Sequence, residues 1–305
     1  MERLFSNKKA ALPLALAAMF FWGSLYPSVK LGYRLFQINA SAYGDIVLFA
    51  GARFVLCGLI LVAFAGVRAG RVRLPGRRSV KPILLIGLFG YALHYFCTYI
   101  GVSMIDSSKA AILKQTGSLF LICFAFLFRR EDAFTPAKLI GGLLGFAGII
   151  VINMDGLVWR PGTGDLLILA ASFCSACAML LCKNAYDKLD PLSITAWAQL
   201  SGGAALTAAG LLAGGSIPHV DTGALLVFGY ICFASCAGYF LWNMLLKYND
   251  LSGLNIIKFA EPLFGSLCAA FLLGEDIFQW PYVAALLLVL AGIAAAYGLP
   301  RARRG

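Results

Sequence analysis

The sequence predicts an all-α integral membrane protein, with ten transmembrane helices arranged as two inverted five-helix repeats around a central cavity. Three observations predict it. The 305 residues are 61% hydrophobic and 13% charged, with a mean hydropathy of +0.84, whereas soluble domains run to ~25% charged. Lysine and arginine collect in alternate loops. The second half of the chain also repeats the first at a constant offset of 144 residues.

A bilayer core needs about 20 apolar residues per helix. Runs of that kind fall at 10–31, 44–67, 82–105, 108–128, 135–153, 164–184, 192–213, 223–247, 251–273 and 280–299. Nothing between them is long enough to form a separate domain, so residues 1–155 and 156–305 are read as two halves of one transmembrane unit. The basic start and the Ala15-Leu16-Ala17 triplet resemble a signal peptide, but the apolar run continues through Phe20, Phe21 and Trp22. The first run is therefore kept as a helix. Trp159 and Trp280 sit near span ends, where indoles anchor at the interface. Gly141, Gly145 and Gly148 have the spacing of close helix packing.

The net charge of +11 is a matter of topology. Eighteen of the basic residues lie on the side of the N-terminus, including Arg68, Arg71, Arg73, Arg77, Arg78 and Lys81 in one loop and Lys183 and Lys188 in another. The opposite side holds Lys30, Arg34, Lys109 and Arg160, and Arg53, Lys114 and Lys258 lie within spans. The positive-inside rule places both termini in the cytoplasm of a multi-pass cytoplasmic-membrane protein. Nucleic acid is excluded as a partner, and no glycine-rich loop followed by Lys-Ser/Thr is present to cradle ATP. All nine cysteines fall within the expected spans. A structural disulfide is not expected, and Cys174-x-x-Cys177 reads as small-residue packing, not a metal or redox site.

The 144-residue offset aligns Lys114 with Lys258, Glu131-Asp132 with Glu275-Asp276, Tyr95 with Tyr239, and Gly148 with Gly292. Each half then has an odd number of helices, so the second half enters from the opposite side. Carriers are often built this way, with a site at the midplane between the halves.

Ionisable groups inside a span face a bundle interior or a watery cavity, because lipid cannot solvate them. His94, Glu261, Lys114 with neighbouring Gln115, Lys258 and Arg53 should therefore converge. Lys258 and Glu261 could instead form a local i, i+3 ion pair. Arg53 could cap carbonyls freed at Pro27 or Pro262. A surplus of positive charge suits a carboxylate or phosphate group, or one lysine stands uncharged. Pro262 removes a hydrogen bond to the Lys258 carbonyl, and Pro27 is expected to break the first helix in the same way; carbonyls so freed could accept a substrate ammonium or a coupling ion. Tyr91, Tyr95 and Tyr99 recur along one face of the third helix, Tyr239 and Trp242 pair on the eighth, and Trp22 and Tyr26 on the first. Such stripes serve either as packing or as the walls of a site.

Trp22-Gly23-Ser24 with Lys30, Ala52-Arg53-Phe54, Glu261-Pro262-Leu263-Phe264, Leu273-Gly274-Glu275-Asp276 and Ala291-Gly292-Ile293 together resemble EamA-type proteins of the drug/metabolite transporter superfamily. The resemblance implies ten helices in two inverted repeats and a secondary transporter moving a small polar or amphipathic metabolite, an amino acid or organic anion among them, by alternating access as export or exchange. The chain departs from the pattern at Gly117-Ser118, where a proline is common. A ligand-gated channel or membrane sensor is the alternative. An intramembrane enzyme using Ser118 or a cysteine with His94 as base is less well supported, since no acid is spaced to orient the histidine. The expected partners are a solute and the lipid bilayer; a coupling proton or ion and a homodimer stay open, and no cofactor or metal is expected.

Overall fold

The computed structural model describes residues 2–39, 41–105, 110, 113–121, 135–152, 154, 162–273 and 280–298. After a single turn at Glu2–Phe5 come α1 (Lys8–Leu35) and α2 (Tyr43–Ala69). Next is α3, made of Arg77–Ile86, a π-helical stretch Gly87–Leu93 and His94–Met104. Then come α4 (residues 113–121), α5 (Pro136–Ile152), α6 (Thr163–Tyr186), α7 (Pro191–Leu212) and α8 (Thr222–Tyr248). α9 is Leu251–Ile257, a 3₁₀ turn Lys258–Ala260 and Glu261–Leu273, and α10 is Trp280–Gly298. No strand occurs among the described residues.

Described residues are helical in each of the ten expected runs. Among the described residues, six helices are long and apolar enough to cross a membrane, with Pro136–Val151 and Trp280–Ala296 as shorter apolar ones. The bundle's outer face is apolar: Leu226 is 71% exposed, Phe271 89% and Leu287 62%. Water would penalise such a surface and lipid would not. The Glu131-Asp132 and Glu275-Asp276 pairs, Trp159, Cys123 and the basic C-terminus lie outside the described residues.

Small residues bring the helices together. α2 packs along α7 through Gly51 against Thr207, Gly58 against Leu200 and Gly210 against Leu48. α5 meets α10 where Gly141 faces Gly292 and Gly148 faces Ala285. α1 crosses α9 at Gly23, where an added Cβ would lie 2.7 Å from the Glu261 carbonyl oxygen. Every described cysteine is free, and no described His, Cys, Asp and Glu residues cluster as a metal site would require.

The end of the bundle near the N-terminus is tightly closed. Leu245, Leu246, Leu251, Leu254 and Tyr186 are fully buried there. Asn249 Nδ2 donates to the Phe5 carbonyl at 3.0 Å, and Lys138 pairs with Asp250 at 3.1 Å. Lys183, expected as a loop charge, is buried instead: its Nζ donates to the carbonyls of Leu246 and Asn249 at 2.7 and 2.8 Å. The lysine caps the C-terminus of α8, where unpaired carbonyls and the helix dipole both favour a cation.

Candidate functional site

Beyond Trp242 and Asn243 this packing opens into a cavity of about 350 Å³. It runs between α1, α2, α3, α4, α6, α8 and α9, from Asn255 and Trp242 to Lys30, Tyr33 and Val102. All the residues expected to face a solute line it: Trp22, Tyr26, Arg53, Tyr91, His94, Tyr95, Lys114, Gln115, Tyr239, Trp242, Lys258 and Glu261. Pro27 and Pro262 do not; they shape the helices behind it.

Glu261 starts the second segment of α9 and is 8% exposed. Its partner is not Lys258, so the local i, i+3 ion pair is absent. Tyr26 OH donates to Glu261 Oε1 at 2.8 Å, and Lys114 Nζ donates to Tyr26 OH at 2.8 Å. One phenol therefore links a cation on α4 to an acid on α9 through α1. Hydrogen bonds to charged groups contribute about 1.5–3 kcal/mol each, so this chain ties the three helices together. Lys258 instead faces two indole rings, 5.8 Å from the centroid of Trp22 and 6.0 Å from that of Trp242.

The break before Pro262 is real but not empty. The Lys258 carbonyl accepts from the Glu261 amide, a 3₁₀ bond that replaces the one proline removes. The expectation of a freed carbonyl at that residue is corrected accordingly. Pro27 lies within α1, which continues past it to Leu35.

Arg53 is 3% exposed, and its guanidinium lies 4.3 Å from the Phe54 ring centroid and 5.2 Å from that of Tyr95. Its Nε has no partner, and it makes no cap to a carbonyl among the described residues. The rings beside it form one cluster of tilted and edge-on contacts: Phe54–Tyr95 centroids are 4.5 Å apart, Tyr91–Tyr239 5.2 Å and Trp22–Tyr239 5.2 Å. Tyr95 and Tyr239 also share a hydroxyl–hydroxyl bond of 2.9 Å.

His94 Nδ1 lies 2.8 Å from the Ala171 carbonyl. A carbonyl only accepts, so Nδ1 carries the hydrogen and Nε2 is what the ring can offer an occupant. No hydrogen bond joins His94 to Ser118 among the described residues; the Ser118 carbonyl accepts from Asn255 Nδ2 at 2.9 Å.

Asn243, Asn255, Tyr33 and Thr98 also line the cavity, and nothing in the sequence singles them out. A neutral amide or hydroxyl in a span costs far less than a charge, so it stands out less. Lys30, expected on the outer side, lines the cavity as well.

The EamA-like transporter family matches the chain twice, over residues 9–154 and 162–298. Among curated relatives, an uncharacterized transporter of Archaeoglobus fulgidus is 26% identical over 88% of this chain and 91% of its own. An S-adenosylmethionine/S-adenosylhomocysteine transporter of Chlamydia muridarum is 27% identical over 84% of this chain and 82% of its own. The inner membrane transporter YedA of Escherichia coli, itself uncharacterized, is 27% identical over 94% and 92%. A solved crystal structure superposes with a TM-score of 0.80 over 98% of this chain and 100% of that one; at 18% identity the likeness is one of fold.

Proposed function

The chain belongs to the EamA-like transporter family and is a multi-pass membrane transporter, not an enzyme; from that premise we propose that it carries a small polar or amphipathic metabolite across the cytoplasmic membrane by alternating access, as a secondary exporter or exchanger. The observation that carries the proposal is the cavity. It is amphipathic, about 350 Å³, and lined by α1, α2, α3 and α4 from one family match and α6, α8 and α9 from the other.

Ten spans in two inverted repeats, 1–155 and 156–305, are part of this reading, and three contacts support it. Tyr95 and Tyr239, 144 residues apart, touch each other. The contacts Gly141–Gly292 and Gly148–Ala285 are interchanged by the same offset. Contacts that map onto themselves are what a two-fold axis between the halves produces, and such an axis lets two access states have similar energies. The packed end at Leu245, Leu246, Leu251 and Leu254 fits a conformer closed toward the cytoplasm, with both termini on that side.

The test begins with a thermal-shift screen of detergent-purified protein against metabolites grouped by charge, S-adenosylmethionine included because of the Chlamydia relatives. Binders then go to counterflow in proteoliposomes. Solute on the far side accelerates tracer uptake by a carrier; a channel or sensor binding in the same cavity gives no such acceleration, and that result would end the carrier proposal.

A further inference from the structure

Among the described residues, the charges on the cavity wall do not balance: Arg53, Lys114 and Lys258 face it, with Glu261 as the acid. Tyr26 accounts for Lys114 and Glu261 by bonding both. Arg53 and Lys258 are left with aromatic faces; among the described residues neither side chain has a hydrogen bond or a carboxylate within ion-pair distance. A lysine can lose its charge on burial, but an arginine in a protein does not. An arginine 3% exposed with an unpartnered Nε is costly unless a counter-charge enters.

The chemistry of that counter-charge follows from the wall. A guanidinium presents a planar fork of donors that matches a carboxylate in two-point contact. On the wall beside it are Tyr95 and, further along the same cluster, Tyr91 and Tyr239, ring surfaces suited to a flat apolar body, with Phe54 buried behind them. Acceptors stand ready for a donor on that body, among them Nε2 of His94 and Oδ1 of Asn255, which is buried with no partner. We infer that the cavity takes an organic anion, a carboxylate on a flat, hydroxyl-bearing apolar body, with Arg53 and Lys258 as its charge-binding residues. This names the solute class for the site and rests on the carrier reading of it. A space of about 350 Å³ lies within the ~300–1,000 Å³ of ordinary small-ligand sites, which suits a small molecule.

The test uses the full chain in detergent and three ligands of one shape: 4-hydroxyphenylacetate, its neutral amide and the matched amine tyramine. The carboxylate is expected to bind at least tenfold more tightly than the other two. Lys258→Met and Arg53→Gln should each weaken it tenfold or more, and Arg53→Lys should recover part of the loss. If Arg53→Gln does not fold, Lys258→Met decides alone. Binding of the amine or amide as tightly as the acid overturns the inference, as does unchanged affinity in Lys258→Met or no binding by any of the three. Inorganic phosphate outcompeting the carboxylate overturns it too. Counterflow keeps the two proposals apart. Carboxylate binding without counterflow leaves the anion site standing and removes the carrier reading; counterflow of tyramine does the reverse.

Discussion

Lys114 on α4 and Lys258 on α9 occupy the same place in the two halves of the sequence, 144 residues apart, yet they are held differently. The Lys114 ammonium is bonded to Tyr26 and, through it, to Glu261. Lys258 lies over the faces of Trp22 and Trp242. The difference traces to the residues one turn beyond each lysine. Gly117-Ser118 in the first half corresponds to Glu261-Pro262 in the second, so both halves supply a cation but only the second supplies the acid. That acid reaches across to the other half's lysine, leaving its own unsatisfied. The two lysines therefore differ in kind: one is held by hydrogen bonds, the other by ring faces.

The largest effect expected from breaking this contrast is in stability. Lys114→Met strips Tyr26 of its donor and leaves Glu261 with the phenol alone, so thermal unfolding in detergent should show a loss of about 1.5–3 kcal/mol. Lys258→Met removes only ring contacts, worth ~0.5–2 kcal/mol, and relieves an unpaired charge. Its stability should stay within about 1 kcal/mol of the parent. Equal losses in the two variants would mean that the contrast between the lysines is not real.

Next in size is Tyr26→Phe, which keeps the ring and deletes both hydrogen bonds. A loss of about 1–2 kcal/mol is expected, less than two such bonds would give, because Lys114 and Glu261 both remain and still attract each other across the gap the hydroxyl leaves. Combined with Lys114→Met the losses should fall well short of additive, because each change alone already breaks the same chain. Full additivity would show that the phenol and the ammonium do not act together.

Smaller again is Gly117→Ala, which asks why the first half lacks an acid. A Cβ at Gly117 would lie 3.0 Å from the Ser172 carbonyl oxygen, and Ser172 Oγ donates to the carbonyls of Leu113 and Lys114 at 3.1 Å each. A glutamate has no room where α4 leans on α6. Alanine should cost about 1 kcal/mol through overpacking, measured as a fall in unfolding temperature; no fall would remove the steric reason for the asymmetry.

Composition and periodicity were enough to read the helical runs and twelve of the residues that line the cavity, because an ionisable or aromatic side chain in an apolar run has few places to go; Lys30, Tyr33, Thr98, Asn243 and Asn255 were missed. Partners were a different matter. Tyr26 and Glu261 are 235 residues apart, and a helical period gives the face a residue lies on, not what stands opposite. Lys183 looked like a loop charge because the carbonyls it caps belong to another helix. The π-helical stretch Gly87–Leu93 carries Gly87 and Gly90 and no proline, but glycines recur through most of the spans, so they do not mark a π turn by themselves.

The smallest effect bears on the helix break, the other feature α9 has and α4 lacks. Proline in a helix interior ordinarily costs about 3 kcal/mol relative to alanine, through the missing N–H and the clash with the carbonyl four residues back. At Pro262 that cost is already largely met, because the 3₁₀ turn moves the Lys258 carbonyl onto the Glu261 amide and its neighbours Phe259 and Ala260 are buried in that geometry. Pro262→Ala should therefore change stability by less than about 1 kcal/mol. The surrounding packing holds the turn, so Lys258 should stay over the two indoles and affinity for the occupant should shift by only a few-fold. A gain approaching ~3 kcal/mol would show instead that the proline alone imposes the turn. Lys258 would then owe its position, and its freedom from Glu261, to one residue that the first half does not have.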